Sequence, residues 1–95
     1  MKAMNRVNVI VPSVFVRFTD GKSVCSVNAE TVRDALMQLV NEHPDLKPQL
    51  LDENNRLLAY LQVFVNEDNI RDLNDLETEL HDRDEVLIIP ALAGG

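Results

Sequence analysis

A single long amphipathic helix, set between segments of β-type sequence, restricts the folds that this chain can adopt. Its apolar residues follow the i, i+3, i+4, i+7, i+8 spacing of one helical stripe: Val32, Ala35, Leu36, Leu39 and Val40. Thr31 is expected to cap the start of the helix. Pro44 should end it near Asn41 to His43, because the residue before a proline disfavours helical geometry. No other segment carries a helical pattern of this length, so the predicted fold has one main helix.

The segment before this helix predicts an opening β-hairpin. Three valines alternate with other residues in the period-two pattern of a strand that has one buried face: Val7, Val9 and Val11. A β-rich run resumes at Val14–Phe18, and a turn sequence over residues 19–22 separates it from Ser23–Val27. The expected hairpin therefore includes both of these later runs.

The segment after the helix predicts smaller elements and the rest of the sheet. In chain order they are a helical turn with Leu46, Leu50 and Leu51, a strand over Leu61–Asn66, a short strand at Ile70–Arg71, a turn or short helix with Leu73, Leu76 and Leu80, and an apolar strand over Val86–Ile89. This order of elements favours an α+β fold in which one sheet packs on one helix. The last strand is apolar on both faces, so the second face of the sheet is also expected to be covered.

The composition is that of one small globular domain. The chain has 95 residues, of which 45% are hydrophobic and 26% charged, and this length leaves room for one modest core. A net charge of -7 argues against a nucleic-acid partner, because such binding depends on Lys and Arg side chains that neutralise phosphates. No apolar run approaches the ~20 residues that span a bilayer, no signal-peptide pattern is present, and a lone Cys25 cannot form an internal disulfide. A cytoplasmic protein without membrane contact is expected.

The sequence ends in Gly94-Gly95, which follows the apolar run Val86–Pro90. Only three glycines occur in the chain, and two of them form this pair. Glycine has no Cβ, so a terminal Gly-Gly can enter a narrow enzyme channel and leave its carbonyl open to attack. Alternatively, termini fray and tolerate small residues, or the pair is a remnant of cloning. On composition alone, both interpretations remain open.

Taken together, these segments resemble the ubiquitin-like β-grasp proteins of the MoaD/ThiS sulfur-carrier family. The similar segments are the hairpin from Val9-Ile10-Val11-Pro12 onward, the helix over Thr31–Asn41, the strand Val63–Asn66 and the ending Asp84–Gly95. The tail Pro90–Gly95 is most similar to carriers that donate sulfur for cysteine synthesis, followed by the small subunit of molybdopterin synthase. Arg83 departs from the family pattern, which usually has Gly between two acidic residues. If that turn needs a left-handed residue, Arg costs ~1 kcal/mol or more.

The resemblance implies a fold and a domain organisation. The fold is an α+β ubiquitin-like β-grasp, with a mixed sheet of four to five strands packed on one main helix and a flexible C-terminal tail. Residues 1–90 would form the β-grasp domain, and residues 91–95 the extended tail that ends in diglycine.

The resemblance also implies a carrier function and its partners. A ubiquitin-activating-like adenylyltransferase would use ATP to adenylate the Gly95 carboxylate, with Gly94 completing the site. A persulfide or sulfide would then displace AMP and leave a thiocarboxylate. A second enzyme, similar to cysteine synthase or to the large subunit of molybdopterin synthase, would accept the sulfur. The chain itself would be a protein cosubstrate rather than an enzyme and would bind no cofactor.

An outward apolar set is predicted to dock these partner enzymes. If Val86 and Ile88 point into the core, Leu87 and Ile89 share the opposite face. Phe64 and Ile10 could join them from neighbouring strands, and Leu92 would guide the tail; Phe64, Leu87, Ile89 and Leu92 are the predicted partner-binding residues. A one-residue error in register would instead place part of this set in the core.

Other chemistry-bearing residues are expected to be structural. Cys25 is expected to be a buried thiol, while His43 and His81 lack zinc-ligand spacing and are expected on the surface. Asp82 and Asp84 are expected in a solvated turn. No metal site is predicted, and because the sequence has no Gly-rich phosphate loop, the ATP chemistry is assigned to a partner.

Three alternatives to a free sulfur carrier stay open. The chain could be a small subunit that remains on one enzyme while it carries sulfur, a protein modifier whose Gly95 joins lysines, or a non-covalent β-grasp interaction module. Deletion of Gly95 should abolish the function of a carrier or a modifier, whereas an interaction module should not be affected.

Overall fold

The computed structural model describes residues 5–91. Within that range the strands are β1 (Arg6–Ile10), β2 (Val24–Asn28), β3 (Leu61–Val65), β4 (Asp68–Asn69) and β5 (Glu85–Pro90). The α-helices are α1 (Val32–Glu42) and α2 (Lys47–Leu50), and 3-10 helices lie over Ser13–Thr19, Pro44–Leu46, Ile70–Asp72 and Asp75–Glu77. None of the helices in this part of the chain has the length and apolar character needed to cross a membrane.

The strands form one mixed sheet in the order β2, β1, β5, β3, β4. β1 pairs with β2 in antiparallel fashion and with β5 in parallel fashion, while β3 is antiparallel to both β4 and β5. The parallel pairing of β1 with β5 places the last strand at the centre of the sheet. The predicted α+β fold, a mixed sheet of four to five strands packed on one main helix, is confirmed, and the sheet has five strands.

Helix α1 forms where the apolar stripe predicts it and covers the inner face of the sheet. All five stripe residues are buried: Val32, Ala35, Leu36, Leu39 and Val40. Thr31 caps the helix, because its Oγ1 accepts a hydrogen bond from the Asp34 N–H at 3.1 Å. The helix ends at Glu42, just before Pro44, as expected. Burial of each large stripe side chain stabilises the fold by roughly 1.5–3 kcal/mol.

The prediction that Val14–Phe18 is a strand of the first hairpin was wrong. These residues belong to the 3-10 helix Ser13–Thr19, and β2 pairs directly with β1. The Phe15 N–H donates to the Pro12 carbonyl at 2.9 Å, so the chain turns away from the sheet as soon as β1 ends. Thr19 is fully buried, and its hydroxyl donates to the Lys22 carbonyl at 2.6 Å, with the Val16 carbonyl 3.1 Å away. The tertiary contacts that bury Phe15 and Thr19 thus prevail over the β propensity of this run.

The short fourth strand also lies elsewhere than predicted. Strand β4 is Asp68–Asn69, because residues 66–67 form a two-residue turn that brings Asp68 opposite Val65. Asn66 has a φ of 57°, which suits such a hairpin turn. Ile70, predicted in a strand, instead begins a 3-10 helix and is buried.

The leucines after β4 pack as predicted with one exception. Leu76 and Leu80 are buried, but Leu73 is 47% exposed and does not belong to the core. The helical turn that was predicted after α1 is present, since Leu46, Leu50 and Leu51 are all buried there.

Candidate partner-docking face and tail exit

Strand β5 presents alternate side chains to the core and to the outer face of the sheet. Val86 and Ile88 are 0% and 1% exposed, and they lie on the inner face. Leu87 is half-buried, and Ile89 is 39% exposed on the outer face. The inward and outward faces predicted for β5 are therefore observed. The expected full covering of its second face is not found within residues 5–91, because Ile89 remains open to solvent.

Strand register aligns four apolar side chains across the outer face. Val24 lies opposite Ile10, Ile10 lies opposite Leu87, and Leu87 lies opposite Phe64. We call this row, Val24-Ile10-Leu87-Phe64, the apolar stripe; Ile89 lies next to it on β5. The sequence placed Phe64, Leu87, Ile89 and Ile10 on this face but missed Val24. Val24 can be assigned to the apolar stripe only when β2 is known to pair directly with β1.

A row of polar residues borders the apolar stripe on the side of the N-terminal end of β5. Its members are Ser26, Asn8, Glu85 and Asn66. The Ser26 hydroxyl donates to Asn8 Oδ1 at 2.7 Å, and the Glu85 N–H donates to Asn66 Oδ1 at 3.1 Å. These hydrogen bonds hold the polar side chains of Ser26, Asn8 and Asn66 in place, so the row limits the apolar surface on this side. The apolar part of this face thus extends toward the C-terminal end of β5.

The tail leaves the sheet beside Tyr60. The Ala91 N–H donates to the Tyr60 carbonyl at 2.6 Å, one residue beyond the Leu61–Pro90 pair of the ladder. Since hydrogen-bonded pairs alternate in an antiparallel ladder, the Pro90 nitrogen faces away from β3. Strand β1 has already ended at Ile10 on that side. Proline therefore stands in a sheet position where its missing N–H costs no ladder bond.

Leu92, Gly94 and Gly95 lie outside the described residues, so their predicted roles stay predictions. The position of Ala91 nevertheless limits their reach. Four residues follow it, and an extended chain spans at most about 3.6 Å per residue. Gly95 can therefore act no farther than about 14 Å from Ala91.

The turn that leads into β5 contains the departure from the family pattern at Arg83. Arg83 has a φ of 74°, so the turn does require a left-handed residue. Its N–H donates to the Arg6 carbonyl at 2.7 Å. Asp82 accepts from the Arg6 N–H at 2.8 Å, and Asp84 accepts from the His81 N–H at 2.8 Å. Asp82 thus binds the turn to β1, and Asp84 binds a backbone group within the turn, which gives both carboxylates a structural role.

Cys25 lies on the inner face of β2 and is buried. Burial raises the pKa of its thiol, and Glu42 adds to the rise while Lys22 opposes it. A smaller thiolate fraction makes Cys25 a poor nucleophile at neutral pH. In the described part of the chain, no group of three or more His, Cys, Asp or Glu residues is placed to hold a metal ion.

A profile of the ThiS family matches residues 6–95, which include the whole sheet and the tail. This protein belongs to the ThiS family. The match confirms the resemblance drawn from the sequence, and it covers β5 together with the residues that follow it.

Relatives of this ThiS-family chain are named sulfur carriers and modifiers. The sulfur carrier protein CysO of Mycobacterium bovis is 28% identical over 91 residues, which cover 94% of this chain and 98% of CysO. A chain of the Amycolatopsis orientalis BexX/CysO complex superposes with a TM-score of 0.86 at 30% identity, covering 94% of this chain and 99% of that one. The small archaeal modifier protein 1 of Methanosarcina acetivorans superposes with a TM-score of 0.84 at 30% identity, covering 99% and 100%. The ubiquitin-like β-grasp assignment is thereby confirmed.

Proposed function

We propose that this ThiS-family protein is a sulfur carrier whose Gly95 carboxylate is adenylated and converted to a thiocarboxylate. The supporting observation is a family match that runs from β1 through Gly95. A second supporting observation is that the tail leaves the sheet at Ala91. This residue follows the strand that contributes Leu87 and Ile89 to the outer face. The protein serves as a cosubstrate in the cytoplasm and not as an enzyme.

The chemistry follows from the poor reactivity of a carboxylate. A Gly95 carboxylate oxygen attacks the α-phosphorus of ATP, which forms an acyl adenylate and releases pyrophosphate. A hydrosulfide ion then attacks the acyl carbon, the C–O bond to AMP breaks, and a proton is released as the thiocarboxylate forms. This chain supplies only the acyl group, and ATP is held by the activating partner. Glycine at positions 94 and 95 lets the tail enter a channel without steric hindrance from a Cβ.

The apolar stripe provides the docking surface for the activating enzyme and the sulfur acceptor. Leu87 lies in the middle of this stripe and Phe64 at its β3 end, with Ile89 on the side toward the tail. Apolar side chains of this kind on an outer sheet face are typical of partner sites. The distance limit set by Ala91 requires the partner's reactive centre to lie within about 14 Å of the tail exit. We assign to Leu92, the residue that follows Ala91 in the sequence, contact with the entrance of that channel.

The partners are an adenylyltransferase of the ubiquitin-activating type and a sulfur-accepting enzyme. The resemblance of the tail to carriers for cysteine synthesis favours an acceptor of the cysteine synthase type, in a pathway for cysteine or a related amino acid, and the likeness to CysO supports a sulfur-carrier role. An acceptor similar to the large subunit of molybdopterin synthase is the alternative branch. Purified acceptors of both types, each offered the thiocarboxylate form, would separate these branches by the product released.

Protein modification is a second candidate, favoured by the likeness to the archaeal modifier protein. The same acyl adenylate would then react with a lysine amine, and an isopeptide bond would replace the bond to AMP. The two outcomes differ only in the nucleophile that attacks Gly95.

The test is an intact-mass spectrum after incubation with an activating enzyme, ATP and a sulfide donor. A carrier gains the mass difference between sulfur and oxygen, localised to Gly95 and absent from a Gly95 deletion. Conjugates to lysine would favour the modifier instead. No change with several competent activating enzymes would contradict both and favour a non-covalent interaction module.

A further inference from the structure

Strand β2 forms an open edge of the sheet. It is the terminal strand of the order, and it pairs with β1 on one side only. The Val11 N–H donates to the Ser23 carbonyl, and the Ala29 N–H donates to the Asn5 carbonyl. These two bonds show which residue pairs of β1 and β2 are hydrogen-bonded and which are not. The odd-numbered residues of β2 therefore bond to β1.

The even-numbered residues of β2 direct their backbone groups outward. These residues are Val24, Ser26 and Asn28, and their N–H and carbonyl groups have no backbone partner among residues 5–91. A strand with such groups is a template for pairing with another strand.

The two edges of the sheet differ in how they are protected. The opposite edge, β4, has only two residues and carries the charged Asp68. Short, charged edge strands discourage pairing with other chains. Strand β2 has five residues, no charge and no proline, and Ser26 is exposed with a small side chain. Strand β2 therefore lacks the charge and the proline that discourage pairing at a sheet edge.

Charges at the two ends of β2 favour one particular partner. Lys22 precedes the strand and Glu30 follows it, and both are exposed. A second copy that pairs in antiparallel fashion brings Lys22 of each chain toward Glu30 of the other. A parallel arrangement would instead bring like charges together.

We infer that the β2 edge binds a second copy of this chain in antiparallel orientation. The two-fold axis passes between the two Ser26 residues, so Val24 of one copy lies opposite Asn28 of the other. Three outward residues per copy then form about six new backbone hydrogen bonds. In the same register Lys22 lies opposite Glu30. The dimer has one continuous sheet, and its two C-terminal tails leave at opposite ends.

This dimer is compatible with the proposed carrier function but does not depend on it. Val24 belongs to both surfaces, but β1 separates Leu87, Phe64 and the tail exit at Ala91 from the new interface. Both copies can therefore present their tails while paired.

Sedimentation equilibrium of the full chain over a wide concentration range tests the inference. We expect the mass to rise toward that of two chains, and Ser26→Lys to abolish the rise because it places two like charges at the two-fold axis. Asn54→Lys adds the same charge in an exposed loop and should leave the association unchanged. A single-chain mass at every concentration would overturn the inference.

Charge reversal tests the antiparallel register. Lys22→Glu alone or Glu30→Lys alone should weaken association roughly tenfold, since each converts two attractive pairs into two repulsive ones. The double variant Lys22→Glu with Glu30→Lys restores opposite charges and should recover the original affinity. Failure of the double variant to recover would exclude this register.

Amide hydrogen exchange identifies the surface without any substitution. The N–H groups of Val24, Ser26 and Asn28 should exchange fast in dilute protein and slowly at high concentration, whereas those of Cys25 and Val27 are protected in both. If dimers form but these three amides still exchange fast, the association uses the apolar stripe. The same conclusion follows if Leu87→Asp abolishes the dimer while Ser26→Lys does not. Either result would overturn the proposed edge pairing.

Discussion

Phe64 lies directly opposite Leu87 in the antiparallel pairing of β3 with β5, and both side chains point away from helix α1. The pair lies at the centre of the outer face, between Ile10 on one side and the short strand β4 on the other. Aromatic and aliphatic side chains in such cross-strand pairs contact each other and stabilise the sheet by a fraction of a kcal/mol. Their shared exposure makes them available to a partner at the same time.

Leu87→Asp should reduce activation of the chain by roughly thirtyfold. A charge at the centre of a docking surface removes a buried apolar contact worth about 2 kcal/mol. The rate of acyl adenylate formation, measured against chain concentration with a cognate activating enzyme, gives the effect. Leu73→Asp is the matched control, because Leu73 is an exposed leucine outside the sheet. Equal activation of the two variants would contradict the role of the stripe.

Arg83→Gly should stabilise the protein by about 0.5–1 kcal/mol. Arg83 holds a φ of 74°, where a residue with a Cβ is strained and glycine is not. The free energy of unfolding in urea measures the change. Arg71→Gly is the control: Arg71 lies in a 3-10 helix without a positive φ, so glycine should destabilise the protein there. A loss of stability with Arg83→Gly would show that the arginine side chain makes a compensating contact.

Asp52 should contribute to stability at neutral pH and lose that contribution in acid. The Arg56 N–H, bound at 3.0 Å, lowers the pKa of this carboxyl, and the Asn54 N–H at 2.8 Å acts in the same direction. Because the folded-state pKa lies below the unfolded value of about 3.9, the stabilisation is complete above that value. It is lost as the pH falls through the folded-state pKa.

The measurement for Asp52 is the free energy of unfolding of Asp52→Asn and the unaltered chain at several pH values. The difference between them should be largest near neutral pH and shrink as acid protonates Asp52. Asp45→Asn, at an exposed carboxylate, provides the comparison. A difference for Asp52→Asn that does not change with pH would rule out this linkage.

Cys25 should react with a maleimide at least about a hundredfold more slowly in the folded protein than in urea, because a buried thiol reacts only after local opening. Its raised pKa lowers the thiolate fraction further. A Cys25→Ala chain that also carries Ser13→Cys places a thiol at an exposed position and should react fast in both conditions. Rapid modification of native Cys25 would mean that the inner face of β2 opens readily.

Local patterns were sufficient to predict the elements whose burial repeats at a regular spacing. The stripe from Val32 to Val40 specified α1, and the alternation around Val63 specified β3 together with the outward position of Phe64. The alternation of β5 likewise placed Leu87 and Ile89 on the outer face. The chemistry proposed for Gly95 rests on the resemblance of the tail to one family, because no periodic pattern in the sequence indicates it.

The tertiary structure decided what depends on contacts between distant segments. Val14–Phe18 has the composition of a strand, but in the fold it forms a 3-10 helix that buries Phe15 and Thr19. The row from Val24 to Phe64 exists because four strands far apart in sequence share one register. The open β2 edge follows from strand order. Periodicity is a local property that the sequence carries by itself, whereas register and strand order arise from long-range pairing that only the folded chain defines.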